Sequence, residues 1–285
     1  MVFPKAYEGQ DWYPSFARFM AEIYPNWREH YKCTPAKDRE VRAIEEYVRP
    51  ELPGLPKEYT AFLRQMSGDG LCMDRCPILY SLKHVALLQG EPVWLEIGTY
   101  DYYDESMFLA YCFPREGPSY LAIRDRGEKP VKVADSLGQL LCNQAFLANG
   151  TEQFPFGYPM DLAFHLHEPP YQPCPEAEEY CRTHSVEGLT ERDLENIGFQ
   201  IQKEKLEGPL RELGYERTWF STELDHIWLK EDICCILSRE FDPNDMFDTL
   251  YISLRGTNKE AVWPLAEKFK KLGYGNYREM RDGFT

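Results

Sequence analysis

In the first half of the chain, apolar residues recur at helical spacing from residue 38. Residues 38–50, which read DREVRAIEEYVRP, place Val41, Ile44 and Val48 three and four positions apart. This spacing puts the three side chains on one face of a helix, with Asp38 as the predicted cap and a proline at the end. The pattern therefore predicts an amphipathic helix over this range.

A second helix is predicted from residue 55, where the chain reads LPKEYTAFLRQMSG. Pro56 suits the first helical position, because the N–H that proline lacks would have no helical partner there. Gly68 can adopt the left-handed conformation that closes a helix. The apolar stripe between these two residues consists of Leu55, Tyr59, Phe62, Leu63 and Met66.

The pattern then changes to the alternation that is typical of β-strands. Four short segments, rich in β-branched, aromatic and aliphatic residues, read PVWLEIG, MFLAYCF, SYLAIRD and KPVKVAD. Glycine and proline positions separate them, which predicts a meander of antiparallel strands. The segment ADSLGQLLCNQAFLANG follows and predicts a helix that Asp135 or Ser136 caps and Gly150 closes.

Residues 151–188 have a different character. They contain six prolines and become acidic from Glu168 onward, without a helical or an alternating period. Such a composition is typical of a linker or of an extended arm. The predicted organisation is a first domain over residues 1–150, a proline-rich acidic linker over 151–188 and a C-terminal domain over 189–285.

The C-terminal segment predicts a smaller α+β domain. Its first helix, LTERDLENIGFQIQKEKLEGPLRELGY, is expected to break at Gly208-Pro209, because proline removes a helical hydrogen bond. Strands are predicted for ERTWFST, HIWLKED, CCILSRE and TLYISLRG, and a closing helix for TNKEAVWPLAEKFKKLGY. The expected arrangement is a sandwich with helices on one face of an antiparallel sheet, so the whole chain is assigned to the α+β class.

The order of elements in residues 38–147 resembles the SUKH superfamily, the domain shared by a fungal cell-wall-synthesis regulator and many bacterial immunity proteins. The resemblance lies in a Leu-Pro-x-x-Tyr-x-x-Phe-Leu helix, a glycine-containing stop, antiparallel strands and an Ala-Asp-Ser-Leu helix start. The matching residues are Ile44, Glu45, Leu55, Pro56, Tyr59, Phe62, Leu63, Gly68, Gly70, Ile97, Gly98, Ala134, Asp135, Ser136 and Leu137.

The resemblance implies an antiparallel sheet with flanking helices, and a binding protein without catalytic activity. Bacterial members of the superfamily look like antidotes that bind a toxin domain, often a nuclease, delivered by a competing cell. Their surface is the variable part, so the resemblance carries no fixed functional residues over to this chain. It implies a bacterial immunity protein whose function is toxin neutralisation through a protein–protein interaction.

The charge of the chain narrows the choice of partner. The 285 residues include 32 Lys and Arg against 47 Asp and Glu, which gives a formal net charge of −15. Such a surface repels nucleic acid and anionic lipid, although acidic composition also serves solubility in many proteins. We therefore expect a basic protein partner, and neither nucleic acid nor a membrane.

The nine cysteines are scattered, which indicates free thiols and a reducing compartment. Cys234 and Cys235 lie in an apolar run and are expected to be buried in a strand. The first residues show no positive segment followed by an apolar one, and no apolar run approaches the roughly 20 residues that span a bilayer. These features predict a cytoplasmic protein.

A candidate binding surface lies in the segment GTYDYYDESMF. The predicted partner-binding residues are Tyr100, Asp101, Tyr102, Tyr103, Asp104 and Glu105. Tyrosine supplies a large contact area at a low entropic cost, and carboxylates attract a basic partner. The alternative interpretation is an ordinary turn between two strands.

Histidines and cysteines cluster between residues 165 and 184. The members of this cluster are His165, His167, Cys174, Cys181 and His184. Their spacing matches no compact zinc pattern, so we predict no bound metal and no cofactor. The sequence patterns of a phosphate-binding loop and of an esterase nucleophile are also missing, which favours a protein that is not an enzyme.

Three functions stay open on the sequence alone. The favoured one is an immunity-type protein that neutralises a basic, nuclease-like toxin by direct binding. The second is an intracellular adaptor or regulatory scaffold without catalytic activity. The third is a hydrolase or metal enzyme built on the cluster of residues 165–184.

Overall fold

The chain folds, in a computed structural model, into two compact units, each with its own antiparallel β-sheet. The first unit comprises residues 1–153 and 219–223, and the second comprises 154–218 and 224–285. The α+β class expected from the sequence is confirmed. The structure describes residues 12–23, 25–66, 71–72, 78–102, 105–124, 130–150, 158–165, 175–185, 187–189, 191–241, 248–272, 274 and 277–279.

The described part of the first unit combines helices with one seven-stranded sheet. Its α-helices are α1 (Trp12–Ile23), α2 (Trp27–His30), α3 (Asp38–Val48), α4 (Lys57–Gln65) and α5 (Leu137–Ala145), and a 3₁₀ turn (Leu82–His84) and a π-helical turn (Phe146–Gly150) add to them. Its strands are β1 (Leu71–Cys72), β2 (Ile78–Leu79), β3 (Ala86–Leu88), β4 (Val93–Tyr102), β5 (Glu105–Phe113), β6 (Tyr120–Arg124) and β7 (Val131–Ala134). The strand order is β1-β2-β4-β5-β6-β7, and β3 also pairs with β4.

Helices α3 and α4 bury the apolar faces that the sequence predicts. Val41 in α3 and Phe62 in α4 are both fully buried. The start of α3 differs from the prediction, because Lys37 occupies the cap position and Asp38 is the first helical residue. The backbone N–H of Lys37 donates to Glu40 Oε2 at 2.8 Å, so the glutamate side chain satisfies this helix start instead of Asp38.

The start of α5 is fixed by side chains from two directions. Ser136 is its cap, since the Ser136 Oγ accepts a hydrogen bond from the Gln139 N–H at 3.1 Å. Glu58 Oε1 accepts hydrogen bonds from the Leu137 N–H at 2.9 Å and from the Tyr111 hydroxyl at 2.8 Å. One carboxylate of α4 therefore joins β5 to the first turn of α5.

A short segment from late in the chain, residues 219–223, completes the first unit. Phe220 is fully buried, and the centre of its ring lies 5.5 Å from the ring of Phe146. The N–H of Glu223 donates to the carbonyl of Val133 in β7 at 2.9 Å. The segment thus contributes both to the core of the unit and to the backbone hydrogen bonds of β7.

The described part of the second unit contains three helices and a six-stranded sheet. Its helices are α6 (Pro175–Thr183), α7 (Glu191–Glu212) and α8 (Lys259–Lys271). Its strands are β8 (Tyr158–His165), β9 (Glu216–Arg217), β10 (Asp225–Lys230), β11 (Ile233–Phe241), β12 (Asp248–Gly256) and β13 (Tyr277–Glu279). The strand order is β13-β8-β12-β11-β10-β9, and every pair is antiparallel.

The core of the second unit joins α7 and α8 to the central strands. Its members include Leu206, Leu210, Trp228, Cys235, Leu237, Leu250, Ile252, Leu254, Val262 and Phe269. Gly256 ends β12 close to α8, where a Cβ would lie only 2.6 Å from the side chain of Val262. Glycine therefore permits the close approach of the strand and the helix. Cys234 and Cys235 are buried in β11, as the sequence predicts.

The linker predicted over residues 151–188 is wrong for two stretches. Strand β8 pairs with β12 along eight positions, from His165 opposite Thr249 to Tyr158 opposite Gly256. Helix α6 occupies a further part of the same range. The boundary between the two units falls at residue 153, so β8 and α6 both belong to the second unit.

Two further predictions for the C-terminal segment need correction. Helix α7 does not break at Gly208-Pro209 but continues to Glu212. Pro209 lies in the last turns, where it removes only its own N–H bond, and the buried Leu206 and Leu210 on either side hold the helix against the core. The strand predicted over 216–222 is shortened to β9, because residues 219–223 belong to the first unit.

Candidate functional site

The predicted binding segment forms the end of the β4–β5 hairpin. Its last three pairs are Tyr100 with Met107, Asp101 with Ser106 and Tyr102 with Glu105. Among the described strands, β2 stops pairing with β4 at Thr99, and β6 stops pairing with β5 at Phe108. These three pairs, which we name the hairpin end, therefore extend past the described neighbouring strands.

A β-bulge in β4 precedes the hairpin end. The register of β4 against β5 shifts between Glu96 and Gly98, which leaves Ile97 as the extra residue. Ile97 is fully buried, and its carbonyl accepts a hydrogen bond from the N–H of Tyr80 at 2.8 Å. A bulge bends a strand and increases its twist, so this one sets the direction in which the hairpin end points.

Tyr100 lies at the base of the hairpin end and is only 5% exposed. Its hydroxyl accepts a hydrogen bond from Gln144 Nε2 at 3.2 Å, and the same amide group lies 3.1 Å from the Asn143 Oδ1. Both partners are buried residues of α5. The Tyr100 ring therefore anchors the hairpin to α5, and we exclude it from the proposed contact surface.

The structure describes only some of the other predicted contact residues. Asp101, Tyr102 and Glu105 lie in β4 and β5 at the hairpin end. Tyr103 and Asp104, which the sequence assigns to the same surface, lie outside the described residues. A partner-binding role for these five residues stays a prediction.

The histidine and cysteine cluster of residues 165–184 is divided between several elements. His165 ends β8, Cys181 lies in α6, and His184 follows α6 with its ring stacked on Tyr180 at 4.1 Å between centres. Within the described ranges, no group of three or more His, Cys, Asp or Glu side chains is arranged to hold a metal ion. The members outside the described residues are His167 and Cys174.

Sequence reasoning missed a buried polar cluster between α7 and β10. The Nδ1 of His226 lies 2.7 Å from Glu207 Oε1, and its Nε2 lies 3.3 Å from the Nζ of Lys203. The three residues are buried, with Lys203 only 1% exposed. A neutral imidazole with its proton on Nδ1 satisfies both contacts, because it donates to the carboxylate and accepts from the ammonium group.

Two arginines bring further positive charge to Glu207. The Nη2 of Arg211 lies 2.5 Å from Glu207 Oε2, and the Nη1 of Arg217 lies 3.8 Å from Oε1. Burial raises the pKa of the Glu207 carboxyl, but the hydrogen bond from His226 and the charges of Arg217 and Arg211 outweigh it, so the pKa falls below its ordinary value. Glu207 is therefore a carboxylate at pH 7.

Burial also dominates the behaviour of His226. It lowers the pKa of the imidazole below the ordinary value, and the positive charges of Lys203 and Arg217 act in the same direction. The hydrogen bond to Glu207 opposes this shift without reversing it. His226 is therefore neutral at pH 7, which agrees with the hydrogen-bond pattern of the cluster.

The burial of this cluster indicates a structural role. A catalytic acid or base must reach its substrate, whereas Lys203, Glu207 and His226 are each 5% exposed or less. A buried charge is costly unless it is paired, and every member of this cluster has a polar partner. The Lys203–Glu207 spacing of four residues was visible in the sequence, but such pairs usually mark the solvent face of a helix.

Comparisons of the chain with models of known protein families, with curated proteins and with solved structures gave no match. Among the helices that the structure describes, none combines the length and the apolar character needed to cross a bilayer. Function must therefore be inferred from the chain's own residues and their placement.

Proposed function

We propose that the chain is an immunity-type binding protein, with a SUKH-like fold in its first unit, that neutralises a basic, nuclease-like toxin by direct contact. The observation that carries this proposal is the hairpin end, which extends past β2 and β6 and belongs to the Tyr- and Asp-rich segment. A hairpin end of this kind suits insertion into a cleft. Its carboxylates are complementary to cations in that cleft.

The SUKH-like part of the proposal is supported by the positions of the motif residues. Tyr59, Phe62 and Leu63 of α4 are buried at 1% exposure or less. Ser136 caps α5, and Ile97 forms the bulge of β4. The motif therefore supplies a core stripe, a helix cap and a bend in a central strand, which are roles that hold a fold together.

The proposed inhibition needs no catalytic group on this chain. A nuclease exposes cations that hold the phosphates of its substrate. A carboxylate-bearing hairpin placed against those cations excludes the substrate by occupying the same charges. The net charge of −15 adds long-range attraction between the two proteins and raises their rate of encounter.

Protection against a toxin domain encoded beside this gene is the direct test. Cells that express the toxin domain alone should stop growing, whereas cells that also express this chain should continue to grow. The purified chain should also block nucleic acid cleavage by the purified toxin at equimolar ratio. If toxin domains encoded beside the gene are neither bound nor inhibited, the immunity proposal is wrong.

A matched pair of triple variants tests the role of the hairpin end. Replacing Asp101 and Asp104 by Asn and Glu105 by Gln should abolish protection while the unfolding midpoint stays unchanged. The control variant replaces three acids elsewhere in the first unit, and it should protect as the wild type does. Its substitutions are Glu22→Gln, Glu46→Gln and Glu116→Gln, all at exposed positions.

An adaptor or regulatory scaffold is the second candidate function. The second unit favours this function, because it has its own sheet and core. An interaction limited to the hairpin end would leave that unit without a role. Chemical crosslinking in the host distinguishes the two functions. A stoichiometric partner that persists with the hairpin triple variant, but is lost on changes to the surface of the second unit, would favour the scaffold.

A further inference from the structure

A groove between α3 and α4 has a charge opposite to that of the whole chain. It has a volume of about 560 Å³, is open to solvent, and is lined by the end of α3, the following turn and one face of α4. Three lining residues are basic, namely Arg49, Lys57 and Arg64, and one, Glu45, is acidic. This local excess of cations has the opposite sign to the net charge of −15.

The basic side chains of this α3–α4 groove are available to a ligand. Arg49 and Lys57 are exposed, and neither has an ion-pair partner among the residues that the structure describes. Arg64 lies 3.6 Å from Asp38, but the two side chains are 47% and 74% exposed, so water screens this pair and its energy is small. An incoming carboxylate can therefore pair with each cation at little cost.

The cations are distributed along the groove. Lys57 begins α4 and Arg64 lies near its end, so the helical rise of about 1.5 Å per residue separates them by roughly 10 Å along the axis. Arg49 is placed at the end of α3. An extended peptide advances about 3.3 Å per residue, so acidic residues about three positions apart match this spacing. Leu55 and Ala61 add apolar lining for the aliphatic parts of such a chain.

We propose that the α3–α4 groove binds an acidic peptide segment of a partner protein. Separated cations suit carboxylates spread along a chain, whereas a single phosphate needs donors that converge on one point. None of the described lining residues is aromatic, so a nucleobase has no ring on which to stack. The groove includes no residue of the hairpin end, and this proposal does not depend on a toxin partner.

Binding of a labelled octaglutamate peptide to the full-length chain tests the proposal, with octaglutamine as the control peptide. Fluorescence anisotropy should show saturable binding that weakens as salt is added, and no binding of octaglutamine. Lys57→Glu and Arg49→Glu should each weaken binding about tenfold, because each removes an attraction and adds a repulsion. Arg42→Glu makes the same charge change at an exposed position of α3 outside the groove, and it should change binding less than twofold.

Gly54 provides a second pair of variants that keeps the fold intact. A Cβ at this position would meet no atom within 4 Å, so a side chain fits without displacing a neighbour. Gly54→Ala should leave peptide binding unchanged, whereas Gly54→Asp places a carboxylate in the groove and should weaken binding about tenfold.

Three results would each overturn the proposal. The first is the failure of octaglutamate to bind saturably. The second is an equal loss of binding in Arg42→Glu and Lys57→Glu, which would show a general charge effect. The third is binding of inorganic phosphate as tight as that of the peptide, which would show a site for small anions instead.

Discussion

The carboxylate of Glu58 accepts a hydrogen bond from the hydroxyl of Tyr111 at 2.8 Å, although the two residues lie 53 positions apart. Glu58 occupies a variable position of the Leu-Pro-x-x-Tyr helix start, beside residues whose roles are apolar. The same oxygen also receives the N–H of Leu137. This side chain connects the helix that carries the motif to the sheet and to α5.

Replacing Glu58 by alanine should lower the free energy of unfolding by about 2–4 kcal/mol, because the Tyr111 hydroxyl and the Leu137 N–H both lose their acceptor. Glu58→Gln keeps one acceptor oxygen and should cost about 1 kcal/mol. Urea denaturation measures both values. Glu46→Ala, at an exposed position of α3, is the control and should stay within about 0.5 kcal/mol of the wild type. Equal effects in Glu58→Ala and Glu46→Ala would contradict the role given to Glu58.

The buried histidine predicts a pH dependence of stability. The pKa of His226 is lowered from 6.5 in the folded chain, so the unfolded chain takes up a proton first as the pH falls. The free energy of unfolding should therefore be highest at pH 7 and above, and should fall below about pH 6.5 by at most about 1.4 kcal/mol per pH unit. The lowered pKa of Glu207 adds a second loss at more acidic pH, below its ordinary value of 4.5.

The variant His226→Gln should reduce the loss of stability between pH 7 and pH 5.5, because it removes the group that titrates in this window. His30→Gln, at an exposed position, serves as the control and should keep the wild-type slope. Urea midpoints measured at four pH values provide the comparison. An unchanged slope in His226→Gln would show that another group controls stability in this range.

The proposed hairpin interface predicts that the carboxylates control the association rate and the tyrosines control the dissociation rate. Replacing Asp101 and Asp104 by Asn and Glu105 by Gln should slow association with a basic toxin, because it removes carboxylates that attract the toxin over a distance. The salt dependence of the association rate should flatten as well, since salt screens this attraction with a Debye length of ~10 Å at 0.1 M. Replacing Tyr102 and Tyr103 by alanine should instead speed dissociation about tenfold, since aromatic anchors hold a formed complex. Surface plasmon resonance at several salt concentrations separates the two rates. Wild-type kinetics in both variants would remove the hairpin from the interface.

Cysteine reactivity should follow burial. Burial raises the pKa of Cys234 to about 12 and also raises the pKa of Cys142 and Cys235. The thiolate is the reactive form, so these three residues should resist iodoacetamide in the native protein at pH 8. The half-buried Cys181 on α6 should be labelled faster, as peptide mass spectrometry can measure. In urea the labelling rates of the four cysteines should become similar. Labelling of Cys234 as fast as that of Cys181 in the native protein would contradict the burial of Cys234.

The segment 219–223 should stabilise the first unit. Phe220→Ala removes a fully buried ring and should cost about 3–5 kcal/mol. Hydrogen exchange should show faster exchange in β7 and α5, since the segment contacts Val133 and Phe146. Leu272→Ala, at a residue that is 51% exposed, should leave exchange in β7 unchanged. Faster exchange confined to β11 and β12 in Phe220→Ala would contradict the placement of this segment.

Local patterns predicted most of the elements in the first unit. The spacing of Val41, Ile44 and Val48 on α3 reflects the burial of one helical face. Such a pattern is visible within about ten consecutive residues of the sequence. The strands β4 to β7 likewise show their alternation within a few residues. Strand β8 was missed although Met160, Leu162 and Phe164 recur at every second position, because the prolines of the surrounding residues 151–188 indicated a linker. Pro159 is tolerated in β8 because it lies near the start of the strand and outside the three positions paired with β13.

The buried polar cluster could not be predicted, because its partners meet only in the folded chain. Lys203 and Glu207 share a helix face, but His226 reaches them from a different element, a strand that lies 19 positions beyond Glu207. A pattern based on polarity assigns such residues to solvent. The same reason hid Phe220, whose apolar neighbours read as a strand of the second unit, whereas the segment belongs to the first.

The discontinuous first unit has a consequence for protein synthesis. Residues 219–223 are translated only after most of the second unit's helices, so the N-terminal 153 residues leave the ribosome without their last core segment. At about 5–20 residues per second, roughly 70 further residues take about 4–14 s to add. During that delay the surface that later covers Phe220 stays exposed to chaperones, and the first unit completes its core only after residues 219–223 have been added.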